Sequence, residues 1–197
     1  MHLSKIPYYL RIMISFRYAI PSDAGMLLKT RREAVLNSGG GHYSQKQLEA
    51  WAPAVDEAAI EAESKAIDNR DRITIIAEAD NNASNNSLNL EIDGSACRRK
   101  IIGLCTIGIS EGLLKQCYIL PEYRGKGIAA ELVRKAEEIA GKKGIGMLKL
   151  SSSLIALGFY KKLGYTEDER YFYDLGKGLS MECVMMSKEL CDRDDCE

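Results

Sequence analysis

The chain has 197 residues, 46% of them hydrophobic, and its 27 Lys and Arg nearly balance 28 Asp and Glu. One sizeable core in a single α/β domain is expected, and the near-neutral charge excludes recruitment to nucleic acid or an anionic membrane by bulk field. Six cysteines, Cys97, Cys105, Cys117, Cys183, Cys191 and Cys196, form no C-x-x-C pair, and three of them sit in apolar runs. Reduced, buried thiols are the ordinary reading, so a cytoplasmic, metal-free protein is expected.

The opening stretch MHLSKIPYYLRIMISFRYAI is apolar but interrupted by Arg11 and Arg17. It is too broken to span a bilayer and lacks a small-residue cleavage site. Met13 begins MISFRYAIPSDAGML, which reads as strand, turn and helix start, so residues 1–12 are expected to be an extension, with Met1 and Met13 both open as the start. The helix runs through AGMLLKTRREAVL, and a second follows at SQKQLEAW with Ser44 as its N-cap. Three apolar, β-branched runs come next: RITIIAEA from Arg72, KIIGLCTIGI from Lys100 and, after a turn at Gly112, LLKQCYIL from Leu113. Successive strands of this kind predict an antiparallel meander. Residues 81–97 between the first two are rich in Asn and Ser with little to bury, and are expected to be a mobile insertion.

Beyond the third strand, ILPEYRGKGIAAEL places two glycines among basic residues ahead of a helical pattern at Ile128, Leu132, Ala136, Ile139 and Ala140, with Gly141 and Gly144 as stop signals. MLKLSSS is the next strand, LIALGFYKKLG a short helix, and YTEDERYFYDL with MECVMMSKEL closes the sheet before an acidic tail at 191–197. A strand entering a glycine turn and then a helix is an anion site, since the first N–H groups lack intrahelical acceptors and the helix dipole adds positive charge. A turn that needs glycine only for its geometry is the plainer alternative. A P-loop is excluded because the spacing and the magnesium-binding hydroxyl are missing. Gly125, Gly127 and Ala130 satisfy a dinucleotide G-x-G-x-x-A, but LKLSSS ends without the ribose-binding carboxylate.

PEYRGKGIAAEL also resembles the acyl-CoA pyrophosphate loop of the GNAT N-acetyltransferase superfamily, whose pattern [QR]-x-x-G-x-[GA] is met by Arg124, Gly127 and Ala129. SSSLIALGFYKKLGY is similar to the family's second signature, filled by Ala156, Phe159, Tyr160, Gly164 and Tyr165. The likeness runs from about Ile14 to Leu190, and a GNAT-like domain at 13–190 is expected. The resemblance implies an α/β fold with a mostly antiparallel sheet of about seven strands, splayed between LLKQCYIL and MLKLSSS and flanked by about four helices.

It further implies transfer of an acetyl group from acetyl-CoA to a small-molecule or peptide amine, by direct attack on the thioester. Ile119, Leu120, Arg124, Gly125, Lys126, Gly127, Ile128, Ala129, Ser153 and Tyr160 are the cofactor-binding candidates. Ile119 supplies a backbone N–H to the developing oxyanion, and Tyr160 is the general acid. Ser153 stands where many members carry asparagine, a shorter reach toward the pantetheine. Lys161 and Lys162 are within reach of the phosphates. The base is open among His42, Glu33 and Glu111, with Glu122 also near the loop, while His2 falls in the extension. No metal, nucleic-acid or membrane partner is expected, and a homodimer is admitted. A non-catalytic acyl-CoA-binding or sensing module is the alternative from a different class, ahead of a dinucleotide-binding protein.

Overall fold

In the structure, a computed structural model, residues 13–38, 41–80 and 99–190 are described. The expected extension, insertion and tail, with His2, Cys97, Cys191 and Cys196, lie outside them. The elements run β1 (Ile14–Tyr18), α1 (Ala24–Leu36), α2 (Gln45–Trp51), α3 (Glu57–Asp68), β2 (Arg72–Asp80), β3 (Arg99–Gly108), β4 (Leu113–Ile119), α4 (Ile128–Lys142), β5 (Met147–Ser153), α5 (Leu157–Lys162), β6 (Thr166–Gly176) and β7 (Leu179–Glu189). All seven strands join one sheet in the order β1-β2-β3-β4-β5-β7-β6.

The strands β2 and β3 are apolar almost throughout because both faces are covered. On one face Ile75, Ala77, Ile102 and Cys105 pack with Ile128, Leu132, Val133, Ala136 and Ala140 of α4. On the other, Ile76, Ile101 and Leu104 meet Leu27 of α1. Thr74 and Thr106 share a buried hydroxyl–hydroxyl bond of 3.0 Å across the two strands, so neither leaves an unpaired polar group. The start of α1 is fixed to the sheet by Arg17, which donates to both Asp23 oxygens at 2.7 and 2.9 Å and to Glu78 at 2.8 Å.

The antiparallel meander, the seven-stranded sheet and the split between β4 and β5 are as expected from the sequence. These two strands run parallel and pair only at Leu113↔Lys149 and Leu114↔Leu150, then diverge. Ser44 caps α2 as expected, accepting the Gln47 N–H at 3.3 Å. Two local expectations change. Three helices separate β1 from β2 rather than two: α3 is capped by Asp56, which accepts the Ala59 N–H at 2.8 Å, yet no residue of α3 is buried. Gly141 lies inside α4, and only Gly144, at φ +76°, ends it. No helix among the described residues is long and apolar enough to cross a membrane.

Candidate active site

The divergence of β4 and β5 opens a cleft of about 510 Å³, bounded by the end of α1, β4, the turn before α4, the end of β5 and α5. Its floor follows from strand register. Leu120 N–H donates to Ile102 C=O at 2.9 Å, so residues 120 and 102 form a hydrogen-bonded pair. Antiparallel pairs alternate, which makes Ile119↔Gly103 and Cys117↔Cys105 non-hydrogen-bonded pairs. The backbone N–H and C=O of Cys117 and Ile119 therefore point away from β3, toward the gap where β5 has parted. Leu120 is a correction: its N–H is spent on Ile102 and its C=O accepts from Tyr123 N–H at 3.0 Å, so its backbone does not face the gap.

At the end of the cleft, the chain turns through Gly125 at φ +72° and Gly127 at φ +78°, the latter being the N-cap of α4. These values favour glycine, and a Cβ at either position would meet nothing within 4 Å, so the turn presents an open concave face. The first bond of α4 runs from Glu131 N–H to Gly127 C=O at 3.0 Å. The N–H groups of Ile128, Ala129 and Ala130 thus have no intrahelical acceptor, and they stand at the positive end of a 15-residue helix. Donor-rich backbone, an open face and positive potential suit a pyrophosphate.

Arg124 takes a different place from the one its motif position suggests. Its guanidinium donates to Ala34 C=O at 2.8 Å and Asn37 C=O at 2.7 Å, capping the C-terminal end of α1. Lys126 leaves the cleft and lies over the Tyr123 ring at 5.0 Å. Lys162 lines the cleft, whereas Lys161 pairs with Glu167. Ser153 lines it too.

Tyr160 is 6% exposed and its ring meets Phe159 and Tyr165 edge-on at 5.0 and 5.7 Å. Burial, with Cys117 and Cys105 close by, pushes its hydroxyl well above the ordinary tyrosine value, so it holds its proton at any physiological pH. None of the candidate bases joins it. His42 and Glu33 are exposed and do not line the cleft, and Glu111 pairs with Lys115 at the opposite end of β4 from Ile119. Glu122 is bound by Lys100 at 2.9 Å, which holds its carboxyl below the usual range. Among the described residues, no Asp, Glu or His lines the cleft.

Several contributors escape sequence reading because they come from separate stretches. Trp51 and Tyr118 form one wall, with ring centroids 6.2 Å apart, and Tyr43 meets Trp51 at 6.4 Å. Tyr43 also fastens this wall to the far half of the sheet, donating to Glu182 C=O at 2.6 Å and accepting from Leu154 N–H at 2.7 Å. Burial pushes the Tyr43 hydroxyl up to about 12. Gly103 faces Ile119, where a Cβ would collide with the Ile119 side chain and sit 2.9 Å from Tyr118 O. A glycine inside an apolar strand is the one sequence signal for that close approach.

Residues 72–167 match the model of the acetyltransferase (GNAT) domain. An uncharacterised N-acetyltransferase of Chlorobaculum tepidum is 32% identical over 100 residues, 47% of this chain and 60% of that protein. A putative acetyltransferase of Bacillus subtilis is 39% identical over 79 residues, 40% of this chain and 50% of that protein, so the chain spans about half to three fifths of the length of these curated relatives. Among solved structures, the PaiA N-acetyltransferase of Thermoplasma acidophilum in complex with coenzyme A superimposes with a TM-score of 0.63 at 22% identity, covering 90% of this chain and 99% of that one. That likeness establishes the fold. The domain match, the sequence relatives and the split sheet agree: residues 72–167 match the GNAT acetyltransferase domain, and the chain has the fold of that superfamily.

Proposed function

We propose that the chain is an acetyl-CoA-dependent N-acetyltransferase, and that residues 13–190 form its catalytic domain. The observation that carries this reading is the joining, in one cleft, of the donor-rich turn at Gly125–Ala130 with the outward-facing backbone of Ile119. Coenzyme A bound in the Thermoplasma relative supports the choice of cofactor. When bound, acetyl-CoA supplies a thioester: a C–N bond forms to the amine as C–S breaks, one proton leaves the amine and one reaches sulfur.

Ile119 N–H donates to the carbonyl oxygen as charge builds there, a contribution of about 3 kcal/mol in comparable acyl-transfer sites. Cys117 and Ile119 together offer strand-like pairing to the extended pantetheine arm. Tyr160 donates its proton to the departing sulfur. A hydroxyl with so high a proton affinity is a weak acid, so its help is largest at the moment the thiolate forms. With no carboxylate or imidazole among the described cleft residues, the amine loses its proton to water, and kcat/KM rises with pH toward the acceptor's own pKa. The test is thiol release from acetyl-CoA across amines, amino acids and peptides. Acetyl-CoA binding without release from any acceptor would favour the non-catalytic binding module.

A further inference from the structure

Against the Tyr118 wall of the cleft stands a cation without a counter-charge among the described residues. Arg31 lies one turn before Ala34 and Val35 on α1, and helical spacing puts it on the same face as these two cleft residues. Its guanidinium rests over the Tyr118 ring at 5.6 Å, and Tyr118 with Trp51 lines the cleft. The Arg31 Nε is buried with no hydrogen-bond partner, and so is the Oγ of Ser38, a cleft residue just past the end of α1. Among the described residues no carboxylate forms an ion pair with Arg31. Buried donors left without acceptors are costly, and a guanidinium poised on an aromatic wall is suited to a bidentate carboxylate.

The rest of the lining points the same way. Arg124 and Lys162 border the cleft and no acidic side chain does, among the described residues, so a polyamine would find no counter-charge there.

Resting on the acetyltransferase reading, we propose that the acceptor amine belongs to a molecule that also bears a carboxylate, an amino acid or a close analogue. Arg31 receives the carboxylate, and the Trp51–Tyr118 wall covers the carbon chain between it and the amine. Arg31 is thus a specificity-determining residue, and it takes no part in the bond-making step.

Trp51 is the single tryptophan of the chain, so its emission reports on this wall without need of turnover. The probes are two matched pairs, lysine with cadaverine and phenylalanine with phenethylamine, added to the coenzyme A complex. The expected result is a saturable change in emission with at least one of the amino acids and none with its decarboxylated partner. In Arg31→Gln that response weakens by about 10- to 150-fold in affinity, the range of a charge-assisted contact, and Arg31→Lys recovers part of it. The acetyl-CoA-induced rise in Tm verifies that each variant is folded. No response to either amino acid, an equal response to the partner amines, or a response indifferent to Arg31→Gln overturns the proposal. Thiol release separates this from the parent reading. Release that is as fast with cadaverine or spermidine as with lysine, at a ratio unchanged by Arg31→Gln, removes the carboxylate site and leaves acetyl transfer standing. An Arg31-dependent emission change with no thiol released does the reverse.

Discussion

The two sides of the cleft are built from different materials. On the proposed cofactor side the groups presented are backbone: the N–H groups of Ile128, Ala129 and Ala130, and the outward edge of β4 at Cys117 and Ile119. On the proposed acceptor side they are side chains, Trp51, Tyr118 and Ser38, carried by α2, β4 and the chain after α1, with Arg31 of α1 set against Tyr118. Backbone recognition depends on a path, and a few glycines specify the path. Side-chain recognition depends on which separate segments meet, and can be rewritten without touching the path. Coenzyme A binding should therefore be fragile to backbone change at a few positions, whereas acceptor choice should be tunable.

The largest effect is expected where the path itself is blocked. Gly127→Glu places a strained, negatively charged side chain at a φ of +78° beside the anion site, and should abolish the acetyl-CoA-induced rise in Tm, which reflects a stabilisation of about 2.7 kcal/mol at a hundredfold excess over Kd. A folded Gly127→Glu protein with undiminished binding would remove the phosphate assignment. Next comes Tyr160→Phe, expected to lower kcat by roughly ten- to a thousandfold while coenzyme A affinity holds. Because the Tyr160 hydroxyl is raised well above its ordinary value, the parent should show no alkaline loss of activity at or below about pH 10. A fall at pH 9 that Tyr160→Phe abolishes would contradict that shift.

Gly103→Ala tests whether the opposite strand holds Ile119 in place. The new Cβ must displace Ile119 or Tyr118, at a cost of about 1–3 kcal/mol in denaturant melts, with kcat reduced more than KM is raised. On the acceptor side, Tyr43→Phe leaves Leu154 N–H and Glu182 C=O without their shared partner and should cost about 1–3 kcal/mol. Acetyl-CoA affinity that stays at the parent level in that variant would confirm that the two sides can be varied independently.

The smallest effect is a pH dependence at the root of α1. Burial alone would raise the Asp23 carboxyl, but Arg17 and the Ile20 N–H hold it below its ordinary 3.8. Its folded value is the lower one, so the stability it contributes is present above 3.8 and lost as pH falls through the folded value. Asp23→Asn should therefore lower stability at neutral pH and flatten the acid limb of a Tm profile.

Legibility in the sequence follows the same division. The meander, the glycine turn and α4 could be read because each is encoded within one continuous stretch by period or by glycine. The loss of Leu120 as a backbone contact could not be read, since which of two adjacent residues faces the gap depends on pairing with Ile102, 18 positions away. The three candidate bases had suitable chemistry and no spatial constraint, and the fold leaves His42 and Glu33 exposed and carries Glu111 to the wrong end of β4. The aromatic wall joins residues 43, 51 and 118, and no local pattern links them. Helix α3 is the opposite case: Asp56 caps it and Ala59, Ile60, Ala66 and Ile67 recur at helical spacing, so its pattern lies within one continuous stretch of sequence.

Arg124 belongs to both sides at once. By capping the carbonyls of Ala34 and Asn37 from within the turn that leads into α4, it makes the last turn of α1 and the phosphate turn one mechanical unit. A shift of the turn on engaging an anion would be passed to Ala34, Val35 and Ser38, which border the side of the cleft proposed for the acceptor. Two ligands that bias one shared element must alter each other's affinity by the same factor. Cooperativity between donor and acceptor is thus the expected consequence of a single guanidinium turned onto the carbonyls of α1.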